Sequence, residues 1–189
     1  MFEHLTETLV QNSIIRQEES QLYLFGLKQC FYHTVSVLSM LTISLLFHAF
    51  WQAVIFLLAF APMRIFAGGY HAKTQLRCFF ITNITMALVL CAYNYMVWTS
   101  LSLVVIALFA TVVIWVFAPV EDSNKPLDEI EKRVYKRRTR ALIMMELVVL
   151  FISIMAELTL VAVPITFTML VVSIGLITGE IKLSFVKRI

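Results

Sequence analysis

Six apolar runs, at roughly 30–48, 50–67, 79–98, 101–118, 141–158 and 160–179, occupy most of this 189-residue chain. A water-soluble fold of this size cannot bury them all. Hydrophobic residues make up 60% of the sequence and charged ones only 14%, against about 45–50% and roughly 25% in soluble domains. Mean hydropathy is +0.87. Lipid must therefore be the solvent for much of the surface, and several runs approach the ~20 residues a helix needs to cross a bilayer. The predicted fold is an all-α integral membrane protein: a single polytopic domain over residues 1–189 with six transmembrane helices. The second run is the weakest, because Pro62 and Arg64 fall near its end.

The cations give the six runs an orientation. Arg16 and Lys28 precede the first, and Arg64, Lys73 and Arg77 lie between the second and third. Lys125, Lys132, Arg133, Lys136, Arg137, Arg138 and Arg140 lie between the fourth and fifth, and Lys182, Lys187 and Arg188 follow the sixth. The intervening turns "HAFWQ", "WTS" and "AELTLVAVP" hold no lysine or arginine. With six crossings every cation falls on one side, which the positive-inside rule makes the cytoplasm, together with both termini. Five crossings would scatter them across both faces.

The first twenty residues are polar and acidic and lack a cleavable secretory pattern. Residues 1–29 read as two short amphipathic helices, broken near "QNS" and lying on the cytoplasmic membrane surface. Cys30, Cys78 and Cys91 are too few, in too apolar a setting, for a disulfide framework.

Chemistry concentrates in "RIFAGGYHAKTQLRC", residues 64–78, between two apolar runs. Cysteine and histidine together make a thiolate nucleophile at neutral pH, and His71 precedes Cys78 by seven residues. Arg77, Lys73 and the positive end of the helix that Cys78 begins would all favour the thiolate; burial beside Phe79 and Phe80 would oppose it. On a continuous helix seven residues rise roughly 10 Å, too far for a hydrogen bond of about 3 Å. The pair can meet only if residues 68–74 leave the helix, and Gly68-Gly69 supplies the freedom to do so. Backbone amides there could also receive an oxyanion. Spacing alone leaves a second reading open, in which His71 and Cys78 are structural and Arg64, Lys73 and Arg77 are topology anchors.

Glu146 and Glu157 lie in or near the fifth run, where a carboxylate is expensive. Glu146 could orient His71, pair with Arg64, or pair with Arg140; Glu157 fits the outer interface. Cys91 reads as packing, and His33 and His48 as polar interface residues ahead of haem ligands. His4 has no evident partner. Nothing has zinc-type spacing, so no metal or other cofactor is expected, and no nucleic-acid partner.

The 64–78 stretch resembles the signature of the accessory gene regulator B (AgrB) family, membrane peptidases that process peptide pheromone precursors in Gram-positive quorum sensing. Arg64, Gly68, Gly69, Tyr70, His71, Ala72 and Cys78 fit that pattern without departure. A second stretch, "APVEDSNKPL", resembles the family's proline-containing loop through Pro119, Asn124, Lys125 and Pro126. Length, six runs and the following basic segment agree, so the likeness covers nearly the whole chain.

The resemblance implies a cysteine endopeptidase of the cytoplasmic membrane, with Cys78 as nucleophile and His71 as its base at the cytoplasmic face. It implies as partner a small precursor with an amphipathic leader, a central pheromone segment and a charged tail, and it suggests a homodimer in the lipid bilayer. Tail release would leave the pheromone segment as a thioester, which an internal cysteine or serine closes into a thiolactone or lactone. Arg64, Gly68, Gly69 and Glu146 are candidates for substrate, oxyanion or structural support. Lys125, Lys132, Arg133, Lys136, Arg137, Arg138 and Arg140 are candidates for gathering an acidic tail. The competing class is a non-enzymatic transporter or peptide-binding membrane protein. A transporter would carry polar residues near the bilayer midplane in broken helices, whereas here the polar chemistry sits at one interface.

Overall fold

The computed structural model describes residues 2–70, 72, 74–121 and 127–186. Among these residues seven α-helices follow one another: α1 (Phe2–Gln11), α2 (Ser20–Leu46), α3 (Phe50–Ala67), α4 (Gln75–Tyr95), α5 (Ser100–Phe117), α6 (Glu129–Met155) and α7 (Thr159–Val186). Five of them, α2, α3, α4, α5 and α7, are long and apolar enough to cross a membrane. The chain is an all-α, multi-pass membrane protein.

α6, which holds the fifth expected span, is not among these five. It is 27 residues long, but its first half is basic and only residues 141–155 form its apolar half. The amino terminus departs from expectation too. α1 is a separate helix, but the second expected surface helix is continuous with the first span: α2 starts at Ser20 instead of near residue 30. Nothing between Ser20 and Leu46 breaks a helix except Gly26, and one glycine costs only about 1 kcal/mol. α1 folds back on this extension through the Phe2 and Phe31 rings, 5.4 Å apart, and the Glu3–Lys28 pair at 3.9 Å.

Each helix end has a local cause. Thr99 with Ser102, and Asp128 with Glu131, form reciprocal capping boxes at the starts of α5 and α6. α2 and α6 end alike. His48 and Glu157 take φ of 52° and 55°, and the following amides reach back five residues, Ala49 to Ser44 and Leu158 to Ser153 at 2.9 and 2.8 Å. So His48 serves as a helix cap, which accounts for it without a ligand.

α7 is the spine of the bundle, packed against α5, α3 and α6. Met63, Ala107, Ala110, Ile143, Met169 and Leu176 belong to the core among these four helices. A second core, with Met40, Ala53, Phe56, Met86 and Leu90, joins α2, α3 and α4. Phe60 and Phe167 border both. Bulky residues such as Leu58, Leu101 and Phe151 stand outward, as lipid permits. Lipid also removes the hydrophobic drive between helices, so small residues that allow close approach carry the packing.

The contacts sort the loops into two ends. At one, Asn94 of α4 donates to the Phe47 carbonyl in the α2–α3 turn at 2.8 Å. At the other lie the end of α3, the segment after α5 and the beginning of α6. Val120 N–H donates to the Ala67 carbonyl at 3.0 Å, Lys132 pairs with Glu121 at 2.9 Å, and the Phe66 and Tyr135 rings meet edge to face. This second end carries the chemistry of residues 64–78.

Candidate active site

α3 stops at Ala67 because the next two residues take left-handed conformations, φ 74° at Gly68 and 108° at Gly69. The helix break expected from the double glycine is present. Gly68 pairs with Val120 as an isolated β-bridge, and a Cβ on Gly68 would lie 2.1 Å from the Val120 carbonyl oxygen. The two stretches that carried the family likeness, around Gly68-Gly69 and around Pro119, therefore meet in space.

Arg64 holds the turn from within. Its guanidinium donates to the carbonyl oxygens of Gly68 and Tyr70, so this cation bonds the loop's own backbone. Tyr70 N–H donates to the Gly175 carbonyl of α7 at 2.8 Å, and the Lys182 ammonium lies 5.4 Å from the Tyr70 ring centre. His71 and Lys73 lie outside the described residues.

The chain re-enters helix at Gln75. Thr74 caps α4 by accepting from Arg77 N–H at 3.3 Å. Cys78 completes the first turn, its N–H donating to the Thr74 carbonyl at 3.1 Å. Its side chain is exposed and its thiol free. Side chains on a helix lean toward its amino terminus, which directs Cys78 toward the positive end of the α4 dipole. Cys30 is also exposed and Cys91 half-buried within α4.

Sequence reading missed the groups that fix this turn. Gln75 donates to Gln29 of α2 at 3.0 Å, and Gln29 donates to His33 at 2.8 Å. His33 thereby gains a partner on its own helix, one turn away. A polar pair spaced i, i+4 on α2 facing a glutamine at a helix start was the only available signal. The cleft between α1 and the start of α2, bordered by Glu3, Glu7, Gln17 and Leu24, includes none of the described residues of the 64–78 stretch.

Glu146 is buried in α6, and its Oε2 has no hydrogen-bond partner among the described residues. Neither ion pair weighed for it, with Arg64 or with Arg140, is present among the described residues. Arg140 instead stacks on Trp115 of α5, 4.3 Å from the ring centre.

The basic run divides by contact. Lys132 is held by Glu121 and by Glu129 at 3.7 Å; its hydrogen bond to Glu121 raises its pKa above the usual lysine value, against a smaller opposing effect of desolvation. Arg138 lies over the Phe66 ring at 4.9 Å. These two, with Arg140, fasten α6 to the ends of α3 and α5. Arg133, Lys136 and Arg137 are exposed, and among the described residues no ion pair or ring contact engages them. Lys125, with Asn124 and Pro126, lies outside the described residues.

Comparison with known proteins adds a family. The AgrB family model, accessory gene regulator B, matches residues 2–183. The chain is 26% identical over 137 residues to AgrB-like protein 1 of Clostridium perfringens (strain 13 / Type A), covering 72% of this chain and 73% of that one. It is 25% identical over 146 residues to an AgrB-like protein of Clostridium perfringens (strain SM101 / Type A), covering 74% and 67% respectively. No solved structure matches.

Proposed function

Because this chain belongs to the accessory gene regulator B family, we propose that it is a membrane cysteine endopeptidase that trims the tail from a peptide pheromone precursor and promotes cyclisation of the remainder. The observation that carries this reading is the break between α3 and α4. Two left-handed glycines end one helix, and Cys78 stands exposed in the first turn of the next. The seven-residue spacing of His71 and Cys78 is thus released from the helical rise that would keep them apart.

In this reaction His71 takes the Cys78 thiol proton, and the sulfur attacks the scissile carbonyl carbon. The C–N bond breaks, the leaving amine takes the proton, and the pheromone segment stays on Cys78 as a thioester. A thiol or hydroxyl within the peptide then attacks that carbonyl, closes the ring and frees Cys78. Amide to thioester is uphill, so tail release must draw the first step forward. The second step is intramolecular in the bound peptide and gains a large effective molarity. Exclusion of water at a membrane boundary protects the acyl-enzyme.

α6 is the sixth crossing in this reading. Its apolar half, at about 1.5 Å per residue, falls short of a ~30 Å hydrocarbon core, and Arg138 and Arg140 reach the boundary along their own stems. Both termini and the site face the cytoplasm of a Gram-positive cell, and two copies form a homodimer. The gathering of the ends of α3 and α5 with the start of α6 supports this orientation.

The direct test is to incubate purified protein in liposomes with a synthetic precursor and measure its intact mass. An adduct on Cys78 equal in mass to the precursor without its tail, removed by hydroxylamine, is the expected result. Precursor that binds or crosses the membrane uncut would sink the enzyme reading in favour of transport or binding.

Two variants probe the surroundings. Gly68→Val should cut processing by about tenfold or more with a smaller loss of membrane abundance, since a branched side chain is least tolerated at positive φ and meets Val120. Equal losses of both would make the turn purely structural. The exposed cations Arg133, Lys136 and Arg137 should gather the acidic tail. Reversing all three to glutamate should raise KM severalfold with kcat little changed. Wild-type KM should climb with salt as the Debye length shrinks below roughly 8 Å, and the variant's should climb less. If KM and its salt dependence match wild type while a topology reporter shows native orientation, the three cations only anchor the helix.

A further inference from the structure

The chain has five glycines, and four of them meet at one place. Gly68 and Gly69 form the turn after α3, and Gly175 and Gly179 lie one helical turn apart on α7. A Cβ on Gly179 would stand 2.8 Å from Gly69 C and from Tyr70 N. Those are backbone atoms of the turn, fixed on the other side by Arg64 and by the bridge to Val120, so they have little room to give. Among the described residues, a Cβ on Gly175 would meet only the Arg64 guanidinium, at an ordinary 3.7 Å. Tyr70 N–H is bonded to the Gly175 carbonyl. The small-residue face of α7 is therefore occupied, and its occupant is the segment immediately before His71.

We infer that Gly179 is a positioning residue for the reaction proposed above, its bare backbone being the seat that fixes the Gly69–Tyr70 segment and with it His71. The inference rests on that reaction for its consequence in rate, but the seat itself has an independent readout. Gly179→Ala removes no polar group and favours helix intrinsically, so α7 should remain stable while the turn is pushed away. Displacement of a base by about 1 Å can cost 10²-fold in rate.

The experiment compares Gly179→Ala with Gly175→Ala, and with Gly26→Ala as the control. A Cβ on Gly26 of α2 meets nothing within 4 Å. Gly179→Ala should lower kcat by about 10- to 100-fold with KM nearly unchanged. Gly175→Ala should lose much less, and Gly26→Ala should match wild type. In a His71→Ala background Gly179→Ala should cost nothing further, because both act through one group. Hydrogen exchange at the Tyr70 amide should be slow in wild type and about tenfold faster or more in Gly179→Ala.

Wild-type kcat in Gly179→Ala, equal losses at Gly175 and Gly179, or additive losses with His71→Ala would each overturn the inference. If Gly179→Ala fails to accumulate, the unmodified protein decides: unprotected exchange at the Tyr70 amide would overturn the seat. If instead Cys78→Ala retains cleavage while Gly179→Ala loses Tyr70 protection, the seat stands and the proposed reaction falls.

Discussion

Cys78→Ala is expected to leave no detectable tail cleavage in purified protein, with insertion and abundance in the membrane at wild-type level. In the proposed reaction the sulfur supplies the covalent step, and no other group in the first turn of α4 can replace it. Folding should not notice the change, because the side chain is exposed and its thiol free. The helix start is held by Thr74 and by Gln75 on Gln29. Cys78→Ser should be almost as inactive, since an alcohol is a far weaker nucleophile without a more strongly activating base. A cysteine-directed probe should also label Cys78 much faster than Cys30, although both are exposed, whereas equal labelling would point to a non-enzyme. Cleavage by the alanine variant near the wild-type rate would remove Cys78 from the mechanism outright.

The second large effect belongs to His71. His71→Ala should lower the rate at neutral pH by about 10²-fold or more, the usual contribution of a general base. Part of the loss should return at alkaline pH, where hydroxide removes the thiol proton without help. The recovery separates a base from a structural residue. A pH–rate profile parallel to wild type, merely lower, would assign His71 to structure.

The apolar runs were legible because bilayer thickness imposes a length and a composition on any crossing helix. The run at 50–67 coincides with α3, since Gly68 ends it locally. The run at 30–48 misjudged α2 by ten residues. Hydropathy reports where lipid begins, and a helix needs no lipid to continue, so the polar first turns from Ser20 were invisible to it. α6 was misjudged for the same reason: its capped, basic first half is as helical as its apolar half.

Within the proposed site, the glycine break and the position of Cys78 at a helix start were legible, because those residues carry local signals of their own. The parts that hold them were not. Arg64 on the Gly68 and Tyr70 carbonyls could be suspected from proximity along the chain. Val120 beneath Gly68, and Gly175 and Gly179 beneath Tyr70, are contacts between segments far apart in sequence and carry no local signature. Rarity was the overlooked signal. A chain with so few glycines that places two of them one turn apart on its most buried helix is reserving a surface for close approach.

The seat on α7 also bears on the order in which the protein is made. Residues 64–78 leave the ribosome well before α5, and α7 emerges after both. Until α5 has delivered Val120 and α7 has delivered Gly175 and Gly179, Arg64 is what holds the turn among the described residues, and Cys78 stands beside a loop that lacks its later supports. For the proposed reaction, competence would thus be withheld from the nascent chain until α7 is in place. An unfinished copy would then hold Cys78 without the seat that the proposed reaction requires.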